Sequence, residues 1–229
     1  MKATSFFRFN HLIFQYFILF WPFFLLVFTA HAQQIILKDL NGRPIFENSY
    51  LSVEGTPYLR EEWSAGLIKA KSNGKTYEMP KMRYDAHKDE IEYDQVGKLF
   101  RFTSAEINEF STGEGTFRAG FPAVGNLTPK NFYQVLYDGR VKLLKRVYLA
   151  IQTERLYNSA TTTQRFVRED ALYLFKNDGE MLKFKKDKSA LLDAIGTEKQ
   201  ADLEAFIKQN KLKLTKEEDL VRILEKFSE

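Results

Sequence analysis

The stretch YDAHKDEIEYD, Tyr84 to Asp94, sets five carboxylates, those of Asp85, Asp89, Glu90, Glu92 and Asp94, around His87. Two kinds of chemistry use such a set. Carboxylate oxygens are the ligands of hard cations such as Ca²⁺, for which Asp85, Asp89 and Glu90 are the candidates. A pair of acids can also cleave a glycosidic bond, and Asp85, Glu90 and Asp94 are the candidates there. The same spacing has a structural reading, a hairpin turning at His87-Lys88. That pairing sets Met82 opposite Tyr93 and Tyr84 opposite Ile91 on one apolar face, with Arg83 opposite Glu92 and Lys81 opposite Asp94 on the other. Opposite charges placed this way favour the hairpin by about 0.2–1 kcal/mol per pair. Asp85 opposite Glu90, with Asp89 and His87 beside them, is left as a polar tip expected to be exposed. The stretch lacks the D-x-[DN]-x-[DN]-G pattern of a calcium loop, so neither a metal nor a catalytic residue is assigned.

The rest of the chain is poorly supplied for catalysis. There is no cysteine, and the three histidines are His11, His31 and His87. The first two fall in a segment that reads as an export leader, residues 1–32. Lys2 and Arg8 precede the apolar run LIFQYFILFWPFFLLVFTA, and Ala30-His31-Ala32 supplies the small-x-small pattern for cleavage before Gln33. An uncleaved leader would instead serve as a membrane anchor, the one route by which membrane contact is expected. Lipid attachment is excluded, because no cysteine can be acylated. With His87 alone remaining, thiol nucleophiles and multi-histidine zinc sites are excluded within one chain. G-x-S-x-G, G-x-G-x-x-G and the phosphate-binding G-x-x-x-x-G-K-[ST] are all absent, and no cofactor is expected. Losing Lys2 and Arg8 halves the formal net charge of +4, and the remaining charges are interspersed, so nucleic acid is not an expected partner.

Those residues must be positioned by strands, because short alternating runs separated by turn residues dominate residues 33–186. A strand is expected at Ile35 to Lys38, then mostly loop to Trp63. LIKAK, KTYEMPKMRY, EIEYD, KLFRFTS and EINEF follow as an antiparallel meander. Pro80 cannot donate to a ladder, so its strand is expected at an edge or bulged. Asp138-Gly139 and Asp178-Gly179 predict type I′ hairpins, with Leu136 opposite Val141 and Tyr133 opposite Leu144 in the first. In the second, Phe175 falls opposite Leu182 and Tyr173 opposite Phe184. The likeness of VLYDGRVKLL to LYLFKNDGEMLKF reads as shared hairpin chemistry rather than a repeat. Pro122 to Lys130, bracketed by Phe117, Phe121, Phe132 and Tyr133, has the composition of a functional loop but reads as a crossover between two sheets. Asn158 to Arg165 reads as a polar loop.

From residue 187 the apolar period lengthens to that of a helix. SALLDAI stops at Gly196, and Thr197-x-x-Gln200 and Thr215-x-x-Glu218 match capping boxes. The helices that follow would bury Leu203, Phe206 and Ile207, and Leu220, Ile223, Leu224 and Phe227.

The leader ending AHAQQ, the run WSAGLIKAKSNGKTY from Trp63 to Tyr77, and the ending LLDAIGTEKQADLEAFIKQNKLKLTKEEDLVRIL resemble exported β-rich proteins of unknown function from Bacteroidota. The resemblance implies envelope export and a β-then-helix layout. It brings no activity, cofactor or functional residue.

The expected fold is therefore mainly β, an antiparallel meander forming a curved sheet, an open barrel or a sandwich over residues 33–186. A C-terminal α-helical hairpin, residues 187–229, packs on it. The expected function is a non-enzymatic binding or scaffolding module of the periplasm, outer membrane or exterior, with an envelope protein or a glycan as partner. Trp63, Tyr58, Tyr77, Tyr157 and Phe121 are the candidate aromatic contacts, and Arg118, together with Arg140, could meet an anionic group. The alternatives are a carboxylate-dependent envelope hydrolase and a structural subunit adding an edge strand, the one holding Pro80, to an outer-membrane assembly.

Overall fold

Short runs of alternating apolar residues cannot bury a face alone, and in this protein they are gathered into one sheet. The computed structural model describes residues 43–44, 50, 52–155 and 162–228. The leader, the strand expected at Ile35 to Lys38, Tyr157 and the start of the Asn158 segment lie outside them. Among the described residues there are twelve strands: β1 (Arg43–Pro44), β2 (Val53–Glu54), β3 (Ser64–Ala70), β4 (Thr76–Asp85), β5 (Glu90–Gln95), β6 (Lys98–Phe102), β7 (Ile107–Thr112), β8 (Gly115–Arg118), β9 (Tyr133–Asp138), β10 (Lys142–Arg155), β11 (Thr162–Phe175) and β12 (Met181–Phe184). They lie in the order β1-β6-β5-β4-β3-β7-β8-β9-β10-β11-β12, and β2 adds to β11 in parallel. The sheet is mixed and open, so a sandwich of two sheets is ruled out.

The order departs from a simple meander at one step. After β6 the chain returns to lie beside β3, skipping over β5 and β4. Four strand spacings separate β6 from β7, roughly 19 Å in a flat sheet, yet only Thr103 to Glu106 joins them, a reach of about 17 Å fully extended. That linker is instead folded into a turn, with the amides of Glu106 and Ile107 donating to the Thr103 carbonyl at 3.1 Å. The sheet must therefore coil strongly. Arg146 on β10 confirms it by bonding the Tyr84 hydroxyl at the end of β4 at 3.1 Å, across what would be roughly 24 Å of flat sheet. The inner face so formed is filled with aromatic rings: Phe110 and Phe117 stack with centroids 4.8 Å apart, and Tyr84 lies 5.0 and 5.3 Å from them.

The β4–β5 hairpin has the expected register, Met82 to Tyr93, Arg83 to Glu92, Tyr84 to Ile91 and Asp85 to Glu90. Pro80 is accommodated by a bulge, since Ser64 pairs with Met82 and Gly66 with Met79. Its strand lies between β3 and β5, however, so it is interior and not an edge.

Both Asp-Gly hairpins form with registers different from those expected. Lys142 pairs with Asp138 and, after a bulge, Leu144 with Val135, because Gly139, Arg140 and Val141 make a longer loop tied to the C-terminus. There the Val141 amide donates to Ser228 Oγ at 2.6 Å and the Arg140 amide to the Ser228 carbonyl. In the second hairpin Phe175 pairs with Met181 and Leu172 with Phe184. Its loop holds Gly179 at φ +88°, the left-handed position of a three-residue turn rather than a two-residue one. The Pro122 to Lys130 loop joins β8 to β9, neighbours in the one sheet, so it is no crossover between sheets. Residues 162–165 of the expected polar loop belong to β11, which pairs with β10 over fourteen residues each.

Three helices follow, α1 (Lys188–Ile195), α2 (Gln200–Asn210) and α3 (Glu217–Phe227). Asp187 caps α1 through its side chain on the Ala190 amide, and Gly196, at φ +112°, ends it. Neither expected capping box forms. Thr197 opens a short 3₁₀ turn instead, Lys199 and Lys216 stand at the N-termini of α2 and α3, and neither end has a side-chain cap. Of the expected buried set, Leu203, Leu220, Ile223, Leu224 and Phe227 pack on Val141, Leu143, Leu172, Leu174 and Phe184 of the sheet, whereas Phe206 and Ile207 are only partly buried against that core. Strands and helices thus share a core within one compact unit, Leu40–Glu229. Among the described residues no helix is long and apolar enough to cross a membrane.

Candidate functional site

Alternation along β4 and β5 sends Tyr84 and Ile91 inward and leaves Arg83, Asp85, Glu90 and Glu92 on the outer face. Across that face lie Tyr50 and residues 52–63, a strap held by the Leu59 amide on the Tyr84 carbonyl (3.0 Å) and the Ala86 amide on the Pro57 carbonyl (2.9 Å). Two of its tyrosines reach down to carboxylates. The Tyr50 hydroxyl donates to Asp85 at 2.8 Å and the Tyr58 hydroxyl to Glu92 at 2.9 Å. Burial first, and then the carboxylate each one touches, push both phenols far above their ordinary range, so both remain protonated donors.

The expected exposed polar tip is therefore a correction: Asp85 is 1% exposed. It also accepts from the amides of His87 (3.0 Å) and Lys88 (2.8 Å). Burial raises its pKa, these bonds work against the rise, and the Glu92 charge adds to it. Glu90 is raised by burial too, with Arg101, 2.6 Å away, opposing. Asp89 turns to the inner side at φ +63°, where it pairs with Arg146 at 3.2 Å and accepts from Tyr84 and Asn131. Asp94 accepts from the Gly97 amide at 2.7 Å and lies 3.7 Å from Lys81. Each of the acids that crowd the sequence is thus met by donors or a basic group, Glu90 and Glu92 sharing Arg101, and among the described residues no three His, Asp or Glu side chains are grouped to hold a metal ion.

What the hairpin does assemble is an aromatic clamp. The Arg83 guanidinium lies 3.6 Å from the Tyr58 ring centroid and 4.2 Å from that of Trp63. Its Nε and Nη2 donate to Glu92 at 3.0 and 2.8 Å, and Nη2 also reaches the Tyr58 hydroxyl at 2.7 Å. A guanidinium stacked and hydrogen-bonded in this way is fixed in orientation. Beside it opens a small cleft between the strap and the β7–β8 turn, lined by Arg60, Glu62, Ser64, Arg83, Thr112 and Glu114 among others. Arg60 is paired with Glu114 across its mouth. On β3, two residues beyond Ser64, the strand approaches β7 so closely that a Cβ on Gly66 would sit 2.4 Å from the Ser111 carbonyl oxygen.

Of the residues singled out from sequence, Tyr58 and Trp63 are brought together here, both half-buried. Tyr77 sits apart at the β3–β4 hairpin, accepting from Asn73 at 2.8 Å. Phe121 is 6% exposed, edge-on to Tyr133 and Phe175, and is a core residue rather than a contact surface. Arg118 bonds Glu109 at 2.6 Å and Asp138 at 2.9 Å, which leaves it no free charge for an anion. Sequence reasoning placed Arg83 and Glu92 in the hairpin but not in a clamp, and it passed over Tyr50 and Arg146. Arg146 carried a signal, a charge inside the apolar run LLKRVYLAI.

No family model, curated protein or solved structure matches this chain.

Proposed function

We propose that this chain is an exported, non-catalytic binding module of the cell envelope that engages a protein or glycan partner through the surface formed by Tyr58, Arg83 and Trp63. The observation that carries the reading is the clamp itself, two aromatic rings and a charge-matched guanidinium held rigidly beside an open cleft. Rigid aromatic and arginine side chains give up little entropy on binding, and they are enriched among residues that dominate affinity. Export rests on the leader alone. The hydrolase alternative has in its favour the raised pKa values of Asp85 and Glu90. Against it stands the cover over Asp85, which leaves a substrate no approach. The edge-strand alternative loses the strand it named, since β4 is interior. The test is in-cell crosslinking of a C-terminally tagged copy beside a Trp63→Ala copy. A partner retained by the first and lost by the second supports the reading; equal recovery from both contradicts it.

A further inference from the structure

We infer that two copies of this chain pair edge to edge along β10, antiparallel and about a two-fold axis at Thr153. β10 and β11 form a ribbon of fourteen residues per strand in unbroken register, but β9 covers β10 only from Lys142 to Lys145. Past that point the odd-numbered residues, whose backbone groups turn away from β11, are met one at a time. The Val147 carbonyl accepts from the Arg146 guanidinium at 2.9 Å. The Leu149 amide donates to the Ala86 carbonyl at 3.4 Å, and the Leu149 carbonyl accepts from His87 Nδ1 at 2.7 Å. At Ile151 and Thr153 the cover stops: among the described residues nothing meets their outward amides and carbonyls.

An open edge templates the pairing of another strand unless it is short, bulged, or carries proline or lysine. The two end strands of the sheet are blunted in those ways, β1 being two residues that include Pro44 and β12 four that include Lys183. From Val147 to Arg155, by contrast, β10 has no proline, glycine or lysine and no bulge against β11, and its last four residues are exposed.

A second copy is the occupant because this edge is complementary to itself. With Thr153 opposite Thr153, the outward-facing Ile151 meets the outward-facing Arg155 of the second copy. Gln152 then meets Glu154 of the second copy, an amide donor against a carboxylate. Glu154 holds Arg165 through Oε1, and among the described residues nothing donates to its Oε2. On the other face the two threonine hydroxyls adjoin and the aliphatic stem of Arg155 lies along Ile151. The neighbouring registers fail. Sliding one copy by two residues sets Arg155 against Leu149, whose amide and carbonyl are already engaged; sliding it the other way sets Glu154 against Glu154, a like-charge pair that opposes the pairing. A slide of one residue turns the bonding groups of one strand away from those of the other. The product is a continuous antiparallel sheet in the order β11-β10-β10-β11.

The chain has no cysteine, so introduced thiols report the register. Gln152→Cys and Glu154→Cys chains, expressed with the leader and purified after export, are oxidised as a mixture and each alone. Residues opposite one another between the hydrogen-bonded pairs lie about 4.5 Å apart at Cα, within disulfide range, whereas each of these positions is displaced from its own counterpart. Thr153→Pro removes an outward N–H without touching a bond to β11; its mass is measured by light scattering beside the parent, and circular dichroism checks its fold. The expected results are a dimeric parent, a folded monomeric Thr153→Pro chain, and a mixed disulfide that forms about tenfold faster than either homodisulfide. A dimer that folded Thr153→Pro leaves intact, or homodisulfides that form as fast as the mixed one, overturn the inference; if Thr153→Pro does not fold, the disulfide rates decide. A monomeric parent also overturns it, and crosslinking in cells from Thr153→Cys to a different protein then assigns the edge to another chain.

Discussion

Replacing Arg146 by Leu tests what holds the coiled sheet together. Arg146 is 6% exposed, and its guanidinium serves five acceptors: both oxygens of Asp89, the Tyr84 hydroxyl, and the carbonyls of Phe132 and Val147. Removing one partner of a buried ion pair costs about 3–5 kcal/mol, because the other is left charged and uncompensated. Asp89 keeps its bonds from Tyr84 and Asn131 and its side chain is 12% exposed. The loss therefore belongs at the lower end, about 3 kcal/mol, a large share of the ~5–15 kcal/mol that a domain has. The double variant Arg146→Leu/Asp89→Asn removes the stranded charge and should recover about 1–2 kcal/mol. The assay is urea denaturation followed by circular dichroism, with free energies compared across the cycle. A loss below about 1 kcal/mol for the single variant, or no recovery in the double, would refute the claim that this pair fastens β10 to the β4–β5 turn.

Four further outcomes follow from the same geometry. Gly66→Ala forces a Cβ against the Ser111 carbonyl oxygen and Met82 Sδ, at 2.4 and 2.5 Å, and should cost about 2–3 kcal/mol, whereas Gly113→Ala should stay within about 0.5 kcal/mol; chemical denaturation of both reads the contrast. Val96 is 99% exposed at φ +51° in the two-residue turn to Gly97, a conformation that suits Asn far better than a β-branched residue, so Val96→Asn should raise stability by about 1 kcal/mol. Ser228→Ala leaves the buried Val141 amide without its acceptor and should cost about 1–3 kcal/mol, seen as a lower Tm. Asp85 and Glu90 have pKa values raised by burial, so just above the ordinary carboxylate range the folded state binds more protons than the unfolded one. Stability from these two groups therefore falls as pH rises through their folded values; Tm measured from pH 4 to 8 should show that slope, and Asp85→Asn should flatten it.

The β4–β5 hairpin was legible in the sequence because its register is over-determined. Shifting it by one residue would turn Met82, Tyr84, Ile91 and Tyr93 outward and separate Arg83 from Glu92. The Asp-Gly hairpins lacked that constraint: leucine, tyrosine or phenylalanine occurs on both faces of β9 to β12, since one face meets the helices and the other meets Phe121, Tyr133 and Met181. Loop length then decided the register, through Ser228 in one case and Gly179 in the other. The capping boxes failed for a similar reason, since helix ends respond to packing as much as to a local motif. The coil of the sheet, which brings Asp89 onto Arg146, depends on contacts between residues such as Arg146 and Tyr84, 62 positions apart. No local pattern encodes such a contact. Trp63 and Tyr58 were recognisable as aromatics outside a core pattern, but their meeting on Arg83 follows from the strap crossing the outer face.

The most direct test of the central claim is site-specific photocrosslinking in cells, with the crosslinking residue placed at Glu62 beside the clamp or at Glu218 on the exposed side of α3. A discrete adduct from position 62, absent from position 218 and lost when Trp63→Ala is added, is the result predicted for a binding surface at Tyr58, Arg83 and Trp63. Adducts of equal yield from both positions, or none from position 62, would contradict it.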